Sequence, residues 1–264
     1  MTTGRTRSGW KTTMTADMPP FRSHNIALPD GTLTAPAEPL LASTVRCRAV
    51  MSYLADEFGG GGHSGVTVAD LGCLEGGYAA EFARAGYDVT GIEARPENYD
   101  AAAWLPGALG LANLRFICGD VRDVLPGMEF DVSFCSGLLY HLDEPVAFVK
   151  LLGQVTRRIL ILNTNFSAAG GHPESVHNPG EWCGERTTHE GYAGHWCHEQ
   201  DNLWASFGNR ASFWLDKDAL IEVIAAAGFV AVTEKQDWRE GARLPMGSGG
   251  AYADRGMFVA FKPR

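Results

Sequence analysis

The sequence has little of what proteins that bind nucleic acids or membranes need. The chain of 264 residues carries 22 Lys and Arg against 31 Asp and Glu, a net charge of -9. Such a chain lacks broad attraction for phosphate backbones and anionic lipids. No apolar run approaches the length of a membrane span. Arg5, Arg7 and Lys11 are not followed by the apolar core of a secretory signal. We therefore expect no membrane partner, and a nucleic-acid substrate is disfavoured.

The six cysteines are scattered, and no two of them form the C-x-x-C pair of many zinc sites. Cys73, Cys118 and Cys135 lie on or beside predicted strands, which suits buried thiols in a reducing cytoplasm. Hydrophobic residues make up 45% of the chain, enough to build a sizeable core. The length fits one large domain, or one domain with a small insertion. We expect the protein to be cytoplasmic.

Predicted strands and helices alternate from residue 66 to residue 163. The strands are Val66–Leu71, Asp88–Glu93, Leu114–Cys118, Phe130–Cys135 and Arg158–Asn163, and the helices are Tyr78–Ala85, Glu97–Leu105 and one that begins near Pro145. Continuous apolar strands, such as Ile159–Leu162, are typical of a parallel sheet that is covered on both faces. The pattern predicts a doubly wound α/β domain.

The ends of this alternation and one interruption define the predicted domains. Residues 1–38 are predicted to be a mobile N-terminal tail, since residues 1–20 are polar and lack periodicity. The α/β domain comprises residues 39–163 and 214–264, where a helix between Pro39 and Phe58 and another after Asp216 are expected. Residues 164–213 are rich in Gly, His, Trp and Asn and follow neither period. They are predicted to be an inserted lid over a substrate.

The first strand leads into a turn that contains three glycines. The strand ends near Asp70. The turn that follows contains Gly72, Gly76 and Gly77, and a helix then begins. Such a turn lets backbone N–H groups approach a ligand closely. Dinucleotide-binding proteins have G-x-G-x-x-G directly after this strand, and here that spacing does not follow the strand. A nicotinamide dehydrogenase is therefore supported by the expected fold only.

Further polar groups follow the next three strands. Glu93 ends the second strand, where a carboxylate accepts hydrogen bonds from both hydroxyls of a ribose. The third strand runs into Gly119–Val121, and the fourth runs into Ser136–Leu142, with the sequence SGLLYHL. Because the carboxyl ends of parallel strands meet at one edge of a sheet, these groups are expected to line one site.

In this order and spacing, these segments resemble the class I S-adenosylmethionine-dependent methyltransferases. The resemblance covers roughly residues 66–163 and begins with Asp70–Gly76, DLGCLEG, in which Leu74 replaces the family's usual middle glycine. It implies a Rossmann-like fold with a seven-stranded, mostly parallel sheet and an antiparallel C-terminal strand. It also implies S-adenosylmethionine as cofactor. The segment after the fifth strand resembles members with a His- and Trp-rich insertion.

The resemblance also implies which residues hold the cofactor. Asp70 would receive its amino group, Glu75 and Gly76 would lie along its amino-acid end, and Glu93 would bind the ribose. Asp120 would meet the adenine amino group. The full implied set is Asp70, Gly72, Cys73, Glu75, Gly76, Glu93, Ala94, Arg95, Asp120, Val121 and Ser136. Other interpretations stay open: the glycine turn binds nothing, Glu93 is a solvated strand end, or Asp120 only caps the helix Val121–Leu125.

His141 is the candidate for chemistry, because it follows the fourth strand at the edge where open α/β sheets bind ligands. The ordinary pKa of histidine, near 6.5, suits it to take a proton from an acceptor. The resembling family also has this Tyr-His-Leu sequence where no base is assigned, so a structural role is equally open. Tyr140 is either a wall of the cavity or a hydrogen-bond donor.

The insertion contains several residues that bind metals in other proteins, namely Cys183, His189, His195, Cys197 and His198. Their spacing matches no zinc finger or ribbon, so we predict no metal and favour a lid whose His and Trp side chains form pocket walls. The candidates for contact with the methyl acceptor are Tyr140, His141, Tyr192, His195, His198 and Trp204.

The favoured hypothesis is transfer of a methyl group from S-adenosylmethionine to a small molecule, a metabolite or natural product. The methyl group would move by in-line displacement, which needs alignment, exclusion of water and removal of an acceptor proton. Oxygen is preferred to nitrogen as the acceptor atom. The alternatives are a methyl- or carboxymethyltransferase acting on tRNA and a non-catalytic S-adenosylmethionine-binding protein. A homodimer is possible.

Overall fold

The computed structural model describes residues 17–60, 63–167, 183–199, 205–239 and 254–263. The strands are β1 (Thr67–Leu71), β2 (Asp88–Glu93), β3 (Leu114–Cys118), β4 (Phe130–Ser136), β5 (Thr156–Asn165), β6 (Cys183–His189), β7 (Tyr192–His198), β8 (Ala211–Leu215), β9 (Ala231–Lys235) and β10 (Arg255–Phe261). The helices are α1 (Val45–Phe58), α2 (Gly77–Arg84), α3 (Pro96–Leu109), α4 (Val121–Val124), α5 (Pro145–Val155) and α6 (Lys217–Ala226). Short 3-10 turns span Leu41–Ser43 and Leu139–His141.

Seven strands form one sheet in the order β3-β2-β1-β4-β5-β10-β9. The five strands from β3 to β5 are parallel, and β10 is antiparallel to both of its neighbours. The predicted fold class is therefore confirmed. The strand order changes direction between β1 and β4, and at such a point the loops at the carboxyl ends diverge and leave a crevice.

The core lies on both faces of this sheet, and β5 shows why its sequence is apolar throughout. Ile159 and Ile161 pack with α1 and α2 on one face, whereas Leu160 and Leu162 pack with α5 and α6 on the other. All four side chains are fully buried. Because successive side chains of a strand point to opposite faces, a strand covered on both sides needs apolar residues at every position.

Two helix boundaries differ from the prediction for local reasons. Helix α1 begins at Val45 rather than near Pro39, because Thr44 caps it and its side chain accepts a hydrogen bond from the Cys47 N–H. Helix α3 continues to Leu109, past the predicted end, and stops at Gly110. No helix in the described ranges is long and apolar enough to cross a bilayer.

Residues 17–38, predicted to be part of a mobile tail, pack against the domain, so the predicted boundary at residue 38 is wrong. Ile26 is fully buried, and the Asn25 carbonyl accepts a hydrogen bond from the Leu41 N–H. Glu75 accepts hydrogen bonds from three consecutive N–H groups, of Arg22, Ser23 and His24. These contacts are long-range, which explains why no local periodicity signals them. Residues 1–16 lie outside the described residues.

The described part of the insertion forms a second, antiparallel sheet, with the strand order β6-β7-β8. This part of the insertion therefore contains strands although its sequence shows no strand period. Alternation is hidden because Phe213, Trp214 and Leu215 of β8 are all buried. The Phe213 N–H donates to the Leu142 carbonyl, which ties this sheet to the main domain. The predicted boundary at residues 213 and 214 falls inside β8.

Two of the predictions about cysteine are also corrected. Cys183 and Cys197 form a disulfide between β6 and β7, whereas the sequence analysis expected cysteines typical of a reducing compartment. Cys118 is exposed rather than buried, while Cys73 and Cys135 are buried as predicted. The disulfide also occupies the sulfur atoms of two of the five candidate metal ligands, Cys183 and Cys197. No cluster of three or more metal-ligating side chains occurs among the residues that the structure describes.

Candidate active site

A cavity of about 310 Å³ opens at the carboxyl ends of β1, β2, β3 and β4. Its volume lies at the lower end of the range found for small-molecule sites. All of the implied cofactor residues except Glu75 and Gly76 line this cavity. Tyr140 and His141 line it as well. The sheet therefore brings most of the predicted site residues together.

Asp70 lies near the end of β1 and is buried. Its Oδ2 accepts a hydrogen bond from the Ala79 N–H at 3.0 Å, in the first turn of α2. Burial raises the pKa of Asp70 to about 7; the hydrogen bond opposes this shift and the Glu93 carboxylate adds to it. Asp70 forms no ion pair with any described residue. A cationic group placed in the cavity would therefore favour the ionised form of Asp70 and pair with that carboxylate.

Glu93 is held by the glycine turn. Its carboxylate accepts hydrogen bonds from the Leu74 N–H at 2.9 Å and the Arg95 N–H at 2.8 Å. Burial raises the pKa of Glu93, and these two bonds limit the rise. Leu74 adopts a φ of +53°, the left-handed region that favours glycine, which accounts for the usual glycine here. The Cβ atom of leucine makes this conformation less favourable than it would be for glycine, but the backbone N–H of Leu74 still donates to Glu93.

Asp120 has both of the roles that the sequence left open to it. Its side chain caps α4 by accepting from the Arg122 N–H at 2.8 Å, and it also faces the cavity. The Arg122 guanidinium pairs with Asp120 at 2.7 Å and with Asp143 at 2.7 Å. Burial would raise the pKa of Asp120, but the bonds from Arg122 outweigh it and lower the pKa. Asp120 is therefore a charged acceptor fixed at the rim of the cavity.

Glu75 and Gly76 are not part of the cavity, which corrects their implied role. Glu75 accepts the Arg22 N–H at 2.6 Å and the His24 N–H at 2.8 Å, so it anchors the N-terminal segment. A Cβ atom at Gly76 would lie 2.6 Å from the Phe116 ring. Gly76 is thus required by the close approach of the turn to β3. The sequence could not signal either contact, because the partners are distant along the chain.

His141 is paired with a carboxylate that the sequence analysis missed. Its Nδ1 lies 3.0 Å and 3.1 Å from the two carboxylate oxygens of Glu199, directly after β7. Glu199 also accepts a hydrogen bond from the Ser206 N–H at 2.9 Å. Burial would raise the pKa of Glu199, but His141 and Ser206 lower it overall. A carboxylate at Nδ1 favours the tautomer with its proton there, so Nε2 is left as a proton acceptor.

Of the predicted acceptor contacts on the insertion, the described residues Tyr192, His195 and His198 do not line the cavity. Tyr192 packs against the apolar cluster that includes α5 and α6. His195 is buried, and its Nδ1 lies 2.8 Å from the Gly184 carbonyl oxygen within the small sheet. His198 is exposed. Trp204 lies outside the described residues. The strand pairing decides these directions, since it fixes which face of the small sheet each side chain occupies.

Several cavity residues come from outside the region of resemblance and were missed. Arg46 projects from α1 and Arg255 from the start of β10. His24 also lines the cavity, and its Nδ1 accepts a hydrogen bond from the Gly77 N–H at 2.9 Å. Burial lowers the pKa of His24 to about 4, with partial opposition from Glu75. His24 is therefore neutral near pH 7, as an acceptor must be.

Comparisons with known proteins agree with this geometry. Residues 69–159 match the methyltransferase domain family. No curated protein sequence is significantly similar to the chain. Among solved structures, the N-terminal domain of EvdMO1 with S-adenosylhomocysteine (SAH) bound is similar, with 24% identity and a TM-score of 0.63, over 84% of this chain and 83% of that one.

Two further solved structures share the fold. Magnesium protoporphyrin IX methyltransferase from Synechocystis PCC 6803, with bound S-adenosylmethionine, has 16% identity and a TM-score of 0.52, over 82% of this chain and 78% of that one. A Burkholderia thailandensis 1,6-didemethyltoxoflavin-N1-methyltransferase, with that compound and S-adenosylhomocysteine bound, has 17% identity and a TM-score of 0.52, over 84% and 80%.

Residues 69–159 therefore match the methyltransferase domain family, and the fold of the chain is that of the class I S-adenosylmethionine-dependent methyltransferases. The predicted family resemblance is confirmed. The family match begins within β1 and ends within β5, and the likeness to the EvdMO1 domain covers 84% of the chain.

Proposed function

We propose that the protein transfers a methyl group from S-adenosylmethionine to an oxygen atom of a small-molecule acceptor. The observation that carries this proposal is the single cavity that joins the carboxylates of Asp70, Glu93 and Asp120 to the His141–Glu199 pair. The carboxylates fit the donor, and the histidine pair fits an acceptor that must lose a proton.

The chemistry of the cavity matches the parts of the donor. Asp120 and the neighbouring Val121 backbone would hold the adenine, and Glu93 would accept hydrogen bonds from the ribose hydroxyls. Asp70 would hold the ammonium group of the methionine part. The raised pKa of Asp70 in the unliganded protein supports this last assignment, because the buried carboxyl group has no described cationic partner.

S-adenosylmethionine supplies a methyl group on a positively charged sulfur, ready for displacement by a nucleophile. The chain's own task is to orient the acceptor, exclude water and remove a proton. His141 Nε2 would take the proton of an acceptor hydroxyl, and Glu199 would stabilise the resulting imidazolium. This division of roles favours oxygen over nitrogen, since a hydroxyl group is a weak nucleophile until it loses its proton.

A small-molecule acceptor is supported by the acidic charge of the chain and by the neighbours. The Burkholderia thailandensis enzyme holds 1,6-didemethyltoxoflavin, and the EvdMO1 domain was crystallised in the presence of D-fucose. The cavity of about 310 Å³ has the size of a small-molecule site. We therefore place the acceptor among metabolites or natural products of modest size.

Calorimetry with S-adenosylhomocysteine tests the cofactor part of the proposal. The wild-type protein should bind it, and Glu93→Ala should bind it about ten- to a hundredfold more weakly, because charge-assisted hydrogen bonds to the ribose are lost. Glu97→Ala is the matched control, since Glu97 is an exposed carboxylate outside the cavity. Equal affinities of wild type and Glu93→Ala would remove Glu93 from the site.

Transfer of radiolabelled methyl groups tests the reaction. Label from S-adenosylmethionine should appear in a small-molecule fraction of a metabolite extract. Label in bulk tRNA would instead favour the nucleic-acid alternative. Tight binding of the donor without any transfer of label would indicate a non-catalytic S-adenosylmethionine-binding protein.

A further inference from the structure

Charge changes sign along the edge of the sheet that bears the cavity. In spatial order the edge carries Asp120 after β3, Glu93 on β2 and Asp70 on β1, and then, beyond β4 and β5, Arg255 on β10. Neighbouring strands lie about 4.8 Å apart, so β10 lies three strands, roughly 14 Å measured across the sheet, from β1. Asp70 and Arg255 therefore enter the cavity from strands three positions apart.

Arg255 is held in place by a buried amide. The Asn163 side chain donates to the Gly256 carbonyl at 3.1 Å, which fixes the orientation of its amide group. Its Oδ1 accepts from Arg255 Nε at 3.0 Å and from Nη2 at 2.8 Å. The guanidinium carbon lies 5.5 Å from the centre of the Tyr140 ring. These neutral partners orient the cation and leave its charge uncompensated.

Arg46 reaches the same end of the cavity from α1. Its guanidinium carbon lies 5.3 Å from the centre of the Trp238 ring, and its Nε is buried without a hydrogen-bond partner. The positive charge of Arg46 adds to burial in lowering the pKa of Arg255, which places the two cations within electrostatic reach of each other. Neither arginine forms an ion pair with a described residue. Two neighbouring, half-buried guanidinium groups that no described carboxylate neutralises repel each other, and an anion bound between them would relieve this repulsion.

We propose that Arg46 and Arg255 bind a carboxylate group of the methyl acceptor, so that the substrate is an organic acid with a hydroxyl group to be methylated. The inference rests on the proposed function. Arg255 lies on β10, beyond β4 and β5, against the ring of Tyr140 and next to His141, and Arg46 lines the same cavity. A planar, bidentate donor such as guanidinium is well suited to a carboxylate.

The carboxylate of S-adenosylmethionine itself is the other source of such a group, and the test separates the two. The first arm measures the affinity of each variant for S-adenosylhomocysteine and for methylthioadenosine, which lacks the amino-acid part. The variants are Arg46→Gln and Arg255→Gln, with Arg255→Lys as the conservative change. Arg48→Gln is the matched control, since Arg48 lies on α1 but is exposed.

In the second arm the protein is first saturated with S-adenosylhomocysteine. Its affinity is then measured for salicylate, para-hydroxybenzoate and para-coumarate, and the affinity for each acid is compared with that for the corresponding carboxamide. At least one acid should bind, and its carboxamide should bind at least tenfold more weakly. Each glutamine variant should weaken binding of the acid about ten- to a hundredfold, with Arg255→Lys in between. Affinity for S-adenosylhomocysteine should stay within about twofold, which also shows that the variants fold.

Three results would overturn the inference. They are equal binding of acids and carboxamides, no binding of any acid, and a loss of affinity for S-adenosylhomocysteine, but not for methylthioadenosine, in the arginine variants. The last result would assign the arginines to the cofactor's carboxylate. If the wild-type protein did not bind S-adenosylhomocysteine at all, the proposed function would fail instead.

Discussion

Binding of the cofactor should release a proton from Asp70. In the free protein burial raises the pKa of this carboxyl to about 7 from an ordinary value of 3.8. The ammonium group of the cofactor pairs with the ionised form only, so binding below pH 7 must first remove the proton. The affinity for S-adenosylhomocysteine should therefore fall about tenfold for each pH unit below 7, since one pKa unit corresponds to about 1.4 kcal/mol.

The assay is calorimetry between about pH 6 and about pH 8, in pairs of buffers with different ionisation enthalpies, which counts the protons released. Methylthioadenosine, which lacks the ammonium group, should show a much weaker dependence. Asp70→Asn should bind S-adenosylhomocysteine more weakly, and without the slope. Affinity that stays constant over this range, with no proton release, would refute the reasoning.

The same shift has a consequence for stability. Between about pH 4 and about pH 7 the folded protein keeps a proton on Asp70 that the unfolded chain has lost. The unfolded state thus binds fewer protons, and the contribution of Asp70 to the free energy of unfolding should decrease as the pH rises through this window. The difference between wild type and Asp70→Asn in urea unfolding at several pH values isolates this contribution.

Three further predictions concern contacts outside the carboxylates of the donor site. His141→Ala should lower kcat about a hundredfold, and Glu199→Gln should lower it about ten- to a hundredfold. The affinity of both variants for S-adenosylhomocysteine should be unchanged. A decrease in kcat of less than about threefold would mean that both residues have a structural role only. Glu75→Ala should lower the free energy of unfolding by about 2–4 kcal/mol, because it leaves three N–H groups without an acceptor. Limited proteolysis near residues 17–38 should then accelerate, and an unchanged cleavage rate would contradict the anchoring role. Thiol titration of the unfolded, non-reduced protein should find Cys183 and Cys197 unreactive, whereas six reactive thiols would contradict the disulfide. Because Cys183 and Cys197 are 14 residues apart, reduction of the disulfide should destabilise the small sheet by up to about 3 kcal/mol.

Local patterns in the sequence were sufficient to predict the five parallel strands of the main sheet, whereas its antiparallel C-terminal strand was implied only by the family resemblance. The apolar run Ile159–Leu162 predicts a strand covered on both faces, and the glycines after Asp70 predict a turn that leads into a helix. These signals are local because a strand needs only its own side chains to show which faces are buried. The small sheet was missed because Phe213–Leu215 are buried on both faces and therefore show no alternation.

The glycine turn shows the limit of a motif. Asp70 and Glu93 line the cavity where the family resemblance implied, whereas Glu75 turns away to anchor the N-terminal segment. Residues within one motif share a loop but point in different directions. The direction of each side chain depends on which distant segment lies opposite it, and a motif carries no information about that.

The sequence by itself determined the order of strands and helices from β1 to β5, and it placed carboxylates at the ends of three strands, because both follow from short-range periodicity and turn residues. Only the tertiary structure decided that Glu199 meets His141 and that Arg46 and Arg255 share the same cavity. These pairings join residues far apart in the chain, and they are set by helix packing and by the antiparallel register of β10 with β5.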